Sequence, residues 1–316
     1  MSGYGIKAVF SISTPGLLVA EAARKNPKIS VHPVDVGGPS GEALDARVLE
    51  LTRKRFRKLS RFIQLAMVGA IEAATASKLR LDPERTGIFL ASGLGNLSDL
   101  LPFSHSVFGD PGFHPSAIGF ASSVGNAGAF YIAQALDVTG PVLALSQDEV
   151  SFEAALFQAV TLLDSGDIDV AVVGSVDVVM PLVEDHLARM GYSREEAQAR
   201  GLKLSEGSAW WILGQREDGD LGELEQVTLG HEDALDLAPL ADGKVTLTGA
   251  AVGEKSKVDP TRLRDWDVGT VYTHSALAPC LFLQEPGPVG ERLHTVARTQ
   301  EGLTSRTTVR RLRAMG

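Results

Sequence analysis

The chain is short of cysteine, aromatic residues and positive charge, and each shortage narrows what it can do. Cys280 is the one cysteine among 316 residues. It can close no internal disulfide and build no cysteine-rich metal site, which suits a reducing compartment and sets a cytoplasmic expectation. Lysine and arginine number 30 against 39 acidic residues, a net charge of −9, so nucleic acid and anionic membranes are poor default partners. No stretch approaches the roughly 20 apolar residues of a membrane span. The longest, Val170 to Val183, is broken by Asp177 and Pro181. Lys7 ahead of an apolar stretch imitates a secretion signal, but Ser11, Ser13, Thr14 and Pro15 interrupt it.

Several catalytic signatures are missing too. There is no G-x-S-x-G elbow, no H-E-x-x-H and no paired C-x-x-C. Ser92-Gly-Leu-Gly-Asn96 follows an apolar strand, yet neither a full G-x-G-x-x-G nor a G-K-[ST] is present. His231-Glu-Asp-Ala-Leu-Asp236 reads first as an acidic solvated loop. Neither a cofactor nor a metal is expected.

With 44% hydrophobic and 22% charged residues, the chain can bury a substantial core in one large domain or two smaller ones. Short apolar runs at Lys7 to Ile12, Thr86 to Ala91, Val142 to Leu145, Val170 to Val173 and Ala209 to Leu213 read as strands. Helical spacing links Phe152, Ala155, Leu156, Ala159 and Leu163, and Asn126 to Leu136 reads as a buried helix. The alternation indicates an α/β layered fold with strands buried on both faces. Arg53 to Leu79 is helical in period, with a basic start that includes Arg53, Lys54, Arg57 and Lys58. That run is either a solvated face or a docking point for an acidic partner. Phe103 to Ala117 reads as a long loop, and 216–268 as acidic and weakly periodic. The boundary between halves falls near 216, giving 1–215 and 216–316.

Ile118 to Asp177 resembles the β-ketoacyl synthases of the thiolase superfamily, in particular a short divergent branch. The resemblance is carried by Phe120-Ala-Ser-Ser-Val-Gly-Asn126-Ala-Gly, Thr139-Gly-Pro141, Ser146-Gln-Asp-Glu149-Val-Ser151-Phe-Glu-Ala-Ala155, Gly166-Asp-Ile-Asp169 and Val172-Val-Gly174, with Leu204-Ser-Glu206-Gly-Ser-Ala209 further on. It implies a thiolase-like α-β-α-β-α fold, here with an abbreviated C-terminal half. In that family a cysteine on a sharp turn between strand and buried helix attacks the acyl thioester. The corresponding residue here is Glu149. A carboxylate attacking a thioester would give a high-energy mixed anhydride, so unaided condensation is not expected.

Three readings of Glu149 stand side by side: a helix-capping box with Ser146, a carboxylate holding the cysteine's place at a subunit interface, and residual catalysis such as decarboxylation of a malonyl thioester. Of the family's two histidines, which stabilise oxyanion and enolate, His274 in Thr273-His-Ser-Ala-Leu-Ala278 matches the later motif, while His231 lacks the surroundings of the earlier one. The resemblance therefore implies a non-condensing subunit of chain-length-factor type in a type II polyketide or fatty-acid-like system of aryl-polyene kind. Its expected partners are an intact ketosynthase, in a heterodimer, and an acyl carrier protein bound at Arg53, Lys54, Arg57 and Lys58. Phe120, Asn126, Ala129 and Phe130 are the expected interface and cavity residues. The alternatives are a decarboxylase or unusual acyltransferase using Glu149 and His274, and a non-catalytic homodimer that binds carrier protein.

Overall fold

Residues with branched or small apolar side chains at Thr86–Ala91 (β3) and Val170–Asp177 (β5) form adjacent parallel strands, with Val142–Leu145 (β4) outside β3. The computed structural model describes residues 3–14, 17–18, 38–56, 59–108, 116–179, 185, 187–188, 191–238, 240, 242–266 and 272–314. Tyr4–Ser13 (β1) and Gly207–Gln215 (β7) complete the N-terminal part of the sheet in antiparallel register. Gly222–His231 (β8), Lys244–Gly249 (β9), Arg292–Arg298 (β10) and Leu303–Arg311 (β11) continue it. The result is a nine-stranded mixed sheet in the order β4-β3-β5-β7-β1-β8-β11-β10-β9. Leu17–Leu18 (β2) and Lys203–Leu204 (β6) form a separate small ladder.

Strand β7 shows why the sheet is covered on both faces. Its alternation sends Trp210 to one side and Trp211 to the other, and both are fully buried. Trp210 meets the helix Arg61–Ser77 (α2), which Ser60 caps and which Gly41–Thr52 (α1) and Ala127–Leu136 (α5) flank. Gly69 lets α2 approach β7 closely, because a Cβ there would run into Trp210 and Ser208. Trp211 packs on the helices Ser151–Asp164 (α6) and His274–Gln284 (α8), with its ring 4.9 Å from Phe152. The far side of α6 and α8 is closed by Leu224, Val227, Leu293 and Val309 of the C-terminal strands. Helix, sheet, helix and sheet thus stack as four layers. The fifth is reduced to a small apolar cluster around Leu235, Leu240, Leu247 and Val296, beside the 3-10 turn Ala250–Lys257.

Arg311 closes α8. Its guanidinium, fully buried, donates to the carbonyls of Glu285 (2.7 Å), Leu283 (3.3 Å) and Phe282, and lies over the Phe282 ring. It satisfies carbonyls that a helix end leaves orphaned.

The two sheet edges differ. Beyond β9, Val245 pairs with Leu263: its N–H donates to the Arg262 carbonyl and its own carbonyl accepts from the Arg264 N–H, both at 2.8 Å. Beyond β4 no strand pairs among the described residues.

Three expectations are corrected. The basic run is not the start of a helix: Arg53 takes the left-handed conformation that ends α1, and α2 begins only at Arg61. The loop expected over Phe103 to Ala117 is partly helical, since Leu97–Phe108 (α3) continues through Pro102 and Ala117–Ser123 (α4) follows. The weakly periodic 216–268 contains β8 and β9. A short helix, Arg194–Ala199 (α7), carries the capping box of Ser193 and Glu196. No helix among the described residues is long and apolar enough to cross a membrane.

Candidate functional site

The turn from β4 into α6 places Glu149. Asp148 adopts φ +48°, a left-handed bend that reverses the chain, and a short 3-10 turn over Asp148–Val150 leads into α6. The hydroxyl of Ser151 locks the bend, accepting from the Gln147 N–H and donating to the Asp148 carbonyl, both at 2.7 Å. Ser146 does not take part. Its hydroxyl lies 3.5 Å from the Gly93 carbonyl, and Gln147 holds the cap position without a side-chain bond. The capping-box reading of Ser146 and Glu149 is therefore corrected: Ser151 already serves the turn.

Glu149 is 6% exposed. Burial, with Asp148 and Glu301 nearby, raises its pKa to about 7, against the opposing pull of its own backbone N–H. Gly249 at the end of β9 forms the facing wall. It has φ +60°, and a Cβ there would come within 2.6 Å of Glu149 Cγ and 2.9 Å of Glu149 Cβ. The carboxylate's stem thus fills the space that a side chain at 249 would need.

One helical turn on, Glu153 is fully buried, with Oε2 3.3 Å from the Ser275 hydroxyl and Oε1 without a partner among the described residues. Burial raises its pKa to about 7, and the Ser275 and Ser305 hydroxyls work in the other direction. Asp177, at the end of β5, is equally buried and accepts from Ser92 Oγ (2.7 Å) and the Leu94 N–H (3.1 Å). Its pKa too is raised to about 7 by burial. Sequence reasoning passed over both groups as site residues. Asp177 was visible as the acid that interrupts an apolar run, and Glu153 as an acid one turn after Glu149 inside an apolar helix face.

His274 is the first residue of α8 and is half-buried. Burial lowers its pKa to about 4; Lys255 acts in the same sense and Asp265 opposes it, so the imidazole is neutral at pH 7. The next residue, Ser275, bonds Glu153, so α8 and α6 meet here. Cys280, buried deeper along α8, has its thiol pushed up to about 12 by burial and is no nucleophile. His231 is exposed and bonds the Glu301 carbonyl at 2.7 Å.

The expected partner-facing residues separate into two groups. Phe120 on α4 and Phe130 on α5 are each 58% exposed, Asn126 is exposed just before α5, and Val142 of β4 and Phe157 of α6 are exposed as well. Ala129 is 0% exposed and packs in the α2 core with Phe62 and Leu90. Its expected place at an interface or cavity is corrected, since α5 turns it away from Phe130 and into the protein. Arg53 and Lys54 are exposed between α1 and α2. Arg57 and Lys58 lie outside the described residues. Among the described residues no group of three or more metal-ligating side chains comes together.

A buried acid at the head of a buried helix, a neutral histidine at the head of its neighbour and no reactive thiol define a ketosynthase-like scaffold without the thiolate. The β-ketoacyl synthase N-terminal domain matches residues 20–219, and the chain belongs to this family. No curated protein matches the sequence. Several solved structures share the fold. The ishigamide ketosynthase/chain length factor superposes with a TM-score of 0.75 at 17% identity, covering 99% of this chain and 100% of that one. A type II polyketide ketosynthase in complex with its acyl carrier protein, AntDE:AntF, gives 0.69 at 15% identity over 98% and 100%. The ketosynthase ApeO in complex with its chain length factor ApeC, from Xenorhabdus doucetiae, gives 0.64 at 13% identity over 98% and 98%. All show a thiolase-like layered fold in common with this chain.

Proposed function

We propose that the chain is a non-condensing ketosynthase-like subunit that pairs with an active ketosynthase in type II polyketide or fatty-acid-like biosynthesis, as ApeC is paired with ApeO. The observation that carries this reading is Glu149. A short 3-10 turn leads into a buried helix and carries Glu149, which in this reading takes the place of the family's cysteine, and the lone cysteine is buried and unreactive.

The sheet edges support pairing. Among the described residues edge β4 has no partner strand beyond it and is flanked by exposed Phe130 and Phe157, whereas β9 is bridged at Val245 by 262–264. Unpaired strand edges beside apolar side chains are natural docking surfaces. In this reading Phe120 and Phe130 face the partner, Arg53 and Lys54 receive the acidic carrier protein, and the complex works in the cytoplasm. A homodimer would also cover β4, but it would join two subunits that both lack a nucleophile.

Co-expression with an intact type II ketosynthase should give a one-to-one complex, and the chain alone should acquire no acyl adduct detectable by mass spectrometry. Separate elution at micromolar concentration, together with unchanged products from the ketosynthase alone, would sink the proposal. Reversing the charge of Arg53 and Lys54 should weaken carrier-protein association, with a loss that shrinks as salt is raised.

A further inference from the structure

The inner face of the C-terminal strands carries hydroxyls where the rest of the core carries hydrocarbon. Thr295 on β10 sits directly opposite Thr246 on β9 and Thr307 on β11, so three threonines form one row across three strands. Two residues along, Ala297 stands opposite Thr248 and Ser305. The side chains face inward. Leu293 and Val309, two residues along from Thr295 and Thr307 on the same face, belong to the core around α6 and α8, while Val245, Leu247 and Val296 point to the opposite face.

All four threonines are at least nine-tenths buried, and none of their hydroxyls has a partner among the described residues. Glu153 lies over this face, held near Ser305 and Ser275, with Oε1 equally unpartnered. Leaving that many buried polar atoms unsatisfied would consume much of a domain's stability margin. Buried polar groups of this density are instead bridged by ordered water, which needs two to four polar partners.

We propose that the buried polar atoms of Glu153, Thr246, Thr295 and Thr307 together bind a small cluster of ordered water. Thr248 extends the site to Gly249, the wall against which Glu149 rests. The cluster gives the Glu153 carboxyl its missing hydrogen-bond partner. This inference is independent of the pairing proposed above, because it depends on side chains of this chain alone.

The test uses Thr295→Val and Thr307→Val, which keep shape and strand propensity while removing a hydroxyl, with Glu153→Gln as the variant that keeps hydrogen bonding. In the full-length protein, water–protein cross-relaxation NMR should detect long-lived water at the threonines, and the signal should vanish in the Thr295→Val/Thr307→Val double variant. Each single valine variant should lower Tm by about 2–4 °C, and the double variant by less than the sum, because both threonines share the same water. Glu153→Gln should retain the signal. If the hydroxyls are simply unsatisfied, valine raises Tm and the wild type shows no long-lived water. Absence of that water from the wild type overturns the proposal whatever the stability result, and its persistence in the double variant overturns the placement.

Discussion

The two ends of the nine-stranded sheet are covered in opposite ways. Over β1, β5 and β7 lies α2, whose residues Phe62, Ile63, Leu65, Met67, Ala70 and Ala73 are all buried, with α1 beside it and α5 next to it over β3 and β4. Over the outer face of β8, β10 and β11 lies a mesh of charge. Arg292 bonds Glu225 (2.7 Å) and Asp242 (2.8 Å), Arg310 bonds Glu225 (2.8 Å) and Glu223, and Arg306 bonds Glu232. His294 joins the mesh through Thr308 (2.9 Å) and the Asp242 carbonyl (2.5 Å). An abbreviated half that lacks helices over this face among its described residues still has to hold its strands and tie down the segment before β9. Arginine stems covering apolar surface with their heads paired achieve this at a modest gain per pair. Apolar burial holds one end of the sheet, and a set of individually weak, mutually supporting ion pairs holds the other.

The largest expected break in this contrast lies between the two coats, at Arg311. Arg311→Met removes the one side chain that, among the described residues, satisfies the carbonyls of Phe282, Leu283 and Glu285 together, and should cost about 3–5 kcal/mol in urea unfolding. A loss under about 1 kcal/mol would show that water caps α8 equally well.

Next comes pH. A carboxyl whose pKa rises from 4.5 unfolded to about 7 folded keeps its proton in the fold after the unfolded chain has released its own. The stability contributed by protonated Glu153 is therefore fully present below about pH 4.5, declines through pH 7 and is lost above it, a total of about 3 kcal/mol. Glu149 and Asp177 act in the same direction. Glu153→Gln should flatten the decline between pH 5 and 7 by one proton's worth, as read from unfolding midpoints; an unchanged slope would mean that Glu153 titrates normally.

On the apolar side, Ala129→Phe should destabilise by about 2 kcal/mol through overpacking, while Phe130→Ala leaves monomer stability within about 0.5 kcal/mol and weakens only partner association. Equal effects at the two positions would contradict the inward and outward assignment of α5. The smallest effect belongs to the ionic coat: Arg292→Gln should cost no more than about 1 kcal/mol, and less in high salt. A salt-insensitive loss would assign its role to packing.

This contrast also explains what could be read from the sequence. Strands β3 and β5 and helix α6 announce themselves as apolar runs because their surroundings are apolar or nearly so, and β4 does so because its half-exposed edge is apolar as well. Strands β8 and β9 do not. On β8 the outer residues include Glu223 and Glu225, and on β9 Lys244, Thr246 and Thr248 share one face and leave only Val245 and Leu247 apolar on the other, so neither strand writes a long hydrophobic period. The end of α1 at Arg53 is a left-handed cap on a residue with no glycine signal, which is why the periodicity seemed to run on from Arg53. At the site, Glu149 could be placed from the neighbouring motif, whereas Gly249 and the threonine rows become partners only through a register that spans three strands.

The unequal edges carry one last consequence. Strand addition at β4 would extend the sheet by one chain, whereas at the opposite edge, among the described residues, Val245 of β9 is already bridged by 262–264. Among the described strands, edge pairing would therefore favour β4 over β9 and join two subunits at one end of the nine-stranded sheet.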